Sequence, residues 1–184
     1  MAPDEPLPEV SALPKSLANR YREQRGFRWN RHLDNSYGSC PLRDRGMARI
    51  VLDSLRKFDG ERYDLESAVM MPNHVHVLCQ FRPTMPCREQ VASWLHYSAI
   101  EINLALGRQG EFWQSEPFDH VVRSEVQFEY LRRYIRENGE RAGLPPTDYL
   151  YWSRESIAAN PGPASSNDLS PGYTAIKWNA GPPA

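Results

Sequence analysis

Residues 70–78 read Met70-Met71-Pro72-Asn73-His74-Val75-His76-Val77-Leu78. Pro72-Asn73 is a turn dipeptide. The residues after it fit a strand, in which side chains alternate faces with period two. His74 and His76 then share one face, while Val75 and Val77 point the other way into apolar packing. Residues 63–70 supply a preceding strand, so the region is expected to be a β-hairpin whose second strand, about 74–81, carries both histidines. Two imidazoles held side by side on a rigid element can bind one divalent metal ion. A His-x-His pattern alone also arises often by chance.

Working outward, residues 44–58 read as a helix with Met47, Ile50, Val51, Leu52 and Leu55 on or near one stripe, stopped by Asp59-Gly60. A second helix is expected over 88–106, ended by Gly107 and Gly110, then a short strand over 118–123 and a third helix over 125–141. Before the hairpin, residues 15–25 read as a short polar helix. Residues 30–43, with Asp34-Asn35-Ser36-Tyr37-Gly38-Ser39, read as a loop. This order indicates an α+β fold, a mainly antiparallel sheet with helices packed on it. The proline- and acid-rich residues 1–14 are expected to lack stable structure. Residues 15–156 form the domain, and residues 157–184, rich in Pro, Gly, Ser, Asn and Ala, read as a flexible tail.

A chain of 184 residues is long enough for one domain with a real core. Its net charge of -1 announces no strongly basic binder, though it leaves room for a local basic face. Lysine occurs only at Lys15, Lys57 and Lys177; the other cations are arginines, which grip phosphate bidentately. Cys40, Cys79 and Cys87 are irregularly spaced and form no C-x-x-C pair, which argues against a disulfide framework or a zinc ribbon. Cys79, three and five residues from the histidines, faces away from them on a regular strand. Reduced thiols, no signal-peptide pattern and no apolar run of membrane length point to a cytoplasmic protein with no membrane partner.

In the third helix, Phe128, Leu131 and Ile135 fall on one core-facing stripe. Tyr134 and Asn138, four apart, lie together at its edge, where the tyrosine hydroxyl is expected to stay accessible. Tyr130 sits further round. Arg132, Arg133 and Arg136 are expected to point outward.

Taken in order, Met71-Pro72-Asn73-His74-Val75-His76-Val77-Leu78, Phe112-Trp113-Gln114, Phe118-Asp119-His120-Val121-Val122-Arg123, Tyr134-Ile135-Arg136-Glu137-Asn138 and Arg141-Ala142-Gly143-Leu144 form a joint pattern over roughly residues 40–153. The pattern resembles the REP-associated tyrosine transposases, relatives of the small single-tyrosine insertion-sequence transposases within the HUH endonucleases. The resemblance implies a ferredoxin-like (RRM-like) HUH nuclease core. It implies that His74 and His76 bind metal, that Tyr134 is the nucleophile, and that Asn138 helps complete the metal site. Asp119 and His120 fall in a segment near the site with no defined role. The cofactor would be Mg²⁺ or Mn²⁺, with histidine and amide ligands leaning towards Mn²⁺. The partner would be single-stranded or hairpin DNA, with Arg132, Arg133, Arg136 and Arg141 available for phosphate contacts. The reaction would be cleavage and strand transfer through a 5′-phosphotyrosine bond, by one chain or across a homodimer.

Three positions depart from the family pattern. Relatives open with a hydrophobic strand, where this chain has Pro8-Glu9-Val10-Ser11-Ala12-Leu13-Pro14; the sheet then lacks a strand, borrows one, or the chain is a truncated copy. Trp94-Leu95 replaces Trp-Lys, which removes a candidate DNA contact. Asn138-Gly139 replaces Asn-Pro, with Gly139 expected to end the helix in place of proline. The second reading is therefore a transposase-derived DNA-hairpin-binding protein with impaired catalysis. A histidine-triad nucleotide hydrolase would need a third histidine where Leu78 stands.

Overall fold

A computed structural model of the chain describes residues 39–114, 117–155 and 172–181. The expectations for residues 1–14 and 15–25, and most of the 30–43 loop, lie outside them. The elements run α1 (Arg45–Arg56), β1 (Tyr63–Met71), β2 (His74–Phe81), α2 (Cys87–Leu106), β3 (Phe118–Val121), α3 (Glu125–Arg141), β4 (Leu150–Ser153) and β5 (Tyr173–Asn179). The strands form one sheet in the order β3-β5-β2-β1-β4, every neighbouring pair antiparallel. This is the α+β architecture expected from the sequence.

The hairpin closes on Met71↔His74, leaving Pro72-Asn73 as its turn. That turn is tied down from two sides: Leu42 N–H donates to the Pro72 carbonyl at 3.0 Å and Ala180 N–H to the Asn73 carbonyl at 2.8 Å. Helix ends follow local chemistry. The Asp44 carboxylate accepts from the backbone N–H groups of Gly46 and Met47 to start α1. The Ser124 hydroxyl accepts from Gln127 N–H to start α3.

The period of two in β2 splits the core between the two faces of the sheet. Val75, Val77 and Cys79, with Ala68, Met70, Ile176 and Trp178, lie in one cluster with Val51 and Leu55 of α1 and Val91, Trp94 and Ile102 of α2. Polar atoms there satisfy one another. The Trp94 indole donates to Tyr63 Oη at 2.9 Å, and Tyr63 Oη donates to the Leu55 carbonyl at 2.7 Å. Burial pushes the Tyr63 phenol up to about 12. Leu95 packs against this cluster, so the side chain at 95 serves the core on the face away from the histidines. Cys79 also lies on that side, as the alternation predicts. On the other face Val69, Met71 and Leu78 meet Phe128 and Ile135 of α3, with Leu131 beside them, which is the stripe expected for that helix.

Two corrections concern the C-terminal half. Residues 157–184 do not all behave as a tail. Their Tyr173–Asn179 segment is β5, hydrogen-bonded to β2 on one side and β3 on the other. Thr174, Ile176 and Trp178 alternate with Ala175, Lys177 and Asn179, so the segment suits a strand covered on both faces. The sheet thus has a C-terminal strand flanking its histidine strand. The second correction is the stop expected at Gly139: α3 fills its expected span of 125–141 and passes through this glycine. The helix runs on to Arg141 and stops at Gly143, which has φ +68°. Leu144 N–H reaches the Gly139 carbonyl and Gly143 N–H the Glu140 carbonyl, the two bonds of a Schellman cap.

Gly139 has a different task. A β-carbon at that position would overlap the Tyr149 ring. Gly139→Ala gains about 1 kcal/mol of helix propensity but incurs about 1–3 kcal/mol of overpacking. The expected result is a lowered denaturant midpoint and disturbance of Asn138 next door, read by equilibrium unfolding of the two proteins.

Candidate active site

The hairpin and α3 bring His74, His76 and Tyr134 together, with Asn138 one helical turn beyond the tyrosine. His74 is fully buried and His76 is 6% exposed. Their rings stand edge to face with centroids 4.9 Å apart. Tyr134 lies over them from α3, its ring centroid 5.4 Å from that of His76 and perpendicular to it. Asn138, one helical turn on, is 2% exposed. The Tyr134 hydroxyl oxygen is buried, which corrects the expectation that it stays accessible. The residue as a whole is half-buried, with its hydroxyl tip turned into the protein.

The electrostatics favour neutral imidazoles. Burial holds His74 and His76 well below the ordinary value of 6.5, with the positive charge of Lys177 adding to the effect in both and His74 adding to it in His76. The 2.7 Å contact between His74 Nδ1 and Asn73 Oδ1 places the His74 proton on Nδ1, since an amide oxygen only accepts. Nε2 of His74 then carries the lone pair. The buried Nε2 of His76 and Oδ1 of Asn138 have no hydrogen-bond partner among the described residues. Lone pairs gathered in a buried space are what a divalent cation requires. No group of three or more His, Cys, Asp or Glu side chains suited to a metal occurs among the described residues, because the third candidate here is an amide.

The unfolded chain protonates both histidines as pH falls through about 6.5, whereas the folded protein resists. Stability is therefore full above that value and declines below it, by up to about 2.7 kcal/mol per pH unit for the two sites together. Urea unfolding of metal-free protein between pH 7.5 and pH 5 checks this, with His76→Gln expected to show about half the slope.

The other expected residues separate. Asp119 is exposed and pairs in register with Ile176, which places it on the face opposite the histidines. His120 is on the α3 face but at the sheet edge, where its Nε2 lies 2.6 Å from the Gln127 amide. Arg132 is committed to carboxylates, 2.5 Å from Glu155, 3.3 Å from Glu129 and 3.8 Å from Glu66. Arg133 and Arg136 are exposed on α3, Arg136 within 3.8 Å of Glu137. The Arg141 guanidinium sits 5.6 Å from the centroid of the Tyr134 ring, close enough for a cation–π contact with the phenol.

Three polar residues missing from the expected set border the site. Asn73 is described above. Lys177, 6% exposed, pairs in register with His76, and Asn179, 7% exposed, pairs with His74. Both stand on the same face of β5 as Ala175, which packs against the α3 cluster. The alternating, aromatic and β-branched run from Tyr173 to Trp178 was the signal that could have found them.

Residues 49–138 match the family model for Transposase IS200 like. The matched stretch runs from within α1 to Asn138 and so contains His74, His76 and Tyr134. The matched stretch is just under half of the chain, and over it the chain is similar to that transposase family. It ends before β4 and β5. Comparisons with curated proteins and with solved structures gave no match. No described helix is long and apolar enough to cross a membrane.

Proposed function

We propose that the protein is a metal-dependent endonuclease and strand transferase for single-stranded DNA, of the REP-associated single-tyrosine HUH type. The observation that carries the reading is the Tyr134 ring of α3 set against the paired rings of His74 and His76, with Asn138 buried one helical turn on.

His74, His76 and Asn138 would hold Mg²⁺ or Mn²⁺, which when bound supplies Lewis-acid polarisation of a phosphoryl oxygen. The protein's own residues do the rest. Asn73 fixes the tautomer and orientation of His74. The histidines stay neutral, because their burial opposes protonation that would remove their lone pairs. Tyr134 is held against His76 and so aimed at a phosphate bound beside the histidines. Its oxygen forms the new bond to phosphorus as the bond from phosphorus to the 3′ oxygen breaks. The phenolic proton is lost, the departing 3′ oxygen gains one, and the downstream fragment remains on the tyrosine through its 5′ phosphate. The phosphoester is conserved, so transfer to another 3′-hydroxyl reverses the same step without a nucleotide cofactor.

The test is incubation with end-labelled oligonucleotides containing a hairpin, with Mn²⁺ or Mg²⁺. Denaturant-resistant protein–DNA adducts are expected with the single-stranded substrate and not with fully paired duplex of the same sequence. Hairpin binding without cleavage under either metal would instead identify a DNA-binding descendant that has lost the chemistry.

A further inference from the structure

We propose that Asn179 is a fourth protein ligand of the metal site, delivered by β5 and lying outside the stretch that matches the transposase family. The inference rests on the metal reading of His74 and His76 and adds a residue to it.

Four observations converge on this side chain. Asn179 is the register partner of His74 across the β2–β5 ladder, so the two side chains rise from the same face, with β-carbons about 4.5–5.5 Å apart as in any directly opposed pair. It is 7% exposed. Its Nδ2 donates to Gln114 Oε1 at 3.1 Å, and its own carbonyl accepts from Gln114 N–H at 2.9 Å, so backbone and amide are both fixed by one neighbour. That bond uses the nitrogen of the amide and leaves the oxygen, and Asn179 Oδ1 is buried with no hydrogen-bond partner among the described residues. An orphaned buried amide oxygen destabilises the fold. A residue kept only for packing has no reason to bear that penalty when an apolar side chain would fill the place.

The chemistry of the donor fits. An amide oxygen is a hard, neutral ligand suited to Mg²⁺ and Mn²⁺. With His74, His76 and Asn138 it makes a set of two imidazoles and two amides, all uncharged. The ion would keep its full charge, and Lys177 beside His76 adds more. The anion that balances such a site is the DNA phosphate, so metal and DNA are expected to bind more tightly together than apart.

The experiment is Mn²⁺ titration of the full chain after chelation, without DNA, read by electron paramagnetic resonance of the free ion. The unmodified protein is expected to bind one Mn²⁺, His76→Ala to lose it, and Asn179→Ala to weaken it by about tenfold or more. Asn179→Asp, nearly the same shape but charged, is expected to tighten it. That variant decides the matter if Asn179→Ala does not fold, which circular dichroism reports. Loss of binding in His76→Ala with unchanged affinity in Asn179→Asp, and in Asn179→Ala if it folds, overturns the role of Asn179 alone. Absence of Mn²⁺ binding by the unmodified protein, or binding indifferent to His76→Ala, overturns the metal reading and this inference with it.

Discussion

Tyr134→Phe is expected to abolish the covalent protein–DNA adduct while leaving fold, metal binding and DNA binding in place. The substitution removes one oxygen and keeps the ring that stands perpendicular to His76 at 5.4 Å and beneath Arg141. Packing against the partly buried stripe of α3 is therefore retained. What is lost is the oxygen proposed to attack phosphorus. Removal of a covalent nucleophile typically lowers turnover by about 10⁴-fold or more, and the adduct itself has no other route. Tyr130 is the natural control. It stacks on Tyr134 with ring centroids 6.4 Å apart but is 41% exposed, and its ring makes no contact with the histidines among the described residues. Tyr130→Phe is expected to keep most of the adduct. Gel analysis of the three proteins with a 5′-labelled and a 3′-labelled hairpin separates the outcomes.

Deletion of residues 172–184 is expected to unfold the domain. β5 lies inside the sheet, between β3 and β2, so its removal strands the hydrogen-bonding edge of the histidine strand and detaches β3 altogether. It also takes Ile176 and Trp178, 2% and 1% exposed, from under α1 and α2. The single substitution Trp178→Ala is expected to cost about 3–5 kcal/mol, a large share of the roughly 5–15 kcal/mol that holds a domain together. Equilibrium urea unfolding measures the substitution; near-ultraviolet circular dichroism and dye binding report the deletion. A truncated protein with native spectra and a cooperative transition would show that the C-terminal strand is dispensable.

The hairpin, α1 and α3 were legible because each carries a local period, and α2 because Gly107 and Gly110 mark its end. The alternation after Pro72-Asn73 and the Phe128, Leu131, Ile135 stripe are set by side-chain burial that any packing partner would impose. β5 was hidden by its surroundings. It follows a stretch of Pro, Gly, Ser and Asn, and composition averaged over that window outweighed a seven-residue strand with one buried lysine. Gly139 was misjudged for a related reason: its contact with Tyr149 is tertiary, whereas a glycine late in a helical pattern looks locally like a stop signal. The site divided in the same way. His74, His76, Tyr134 and Asn138 were paired by spacing along one element each, and their roles came from the resemblance of the joint pattern. Lys177 and Asn179 reach the site only through the pairing of β5 with β2, which no local pattern specifies. Arg132 shows the converse. A basic run on a helix face suggested phosphate contacts, but three carboxylates from β1, α3 and the segment after β4 hold this guanidinium.

In the proposed reaction Tyr134 carries the DNA through its 5′ phosphate. The measurement that tests it most directly is peptide mapping by mass spectrometry of the adduct formed with Mn²⁺ and a hairpin oligonucleotide, after exhaustive nuclease digestion. The expected product is a nucleotide 5′-phosphate on the peptide containing Tyr134 and on no other. A nucleotide attached at Tyr130 or elsewhere, or cleavage that leaves free ends with no adduct at all, would contradict it.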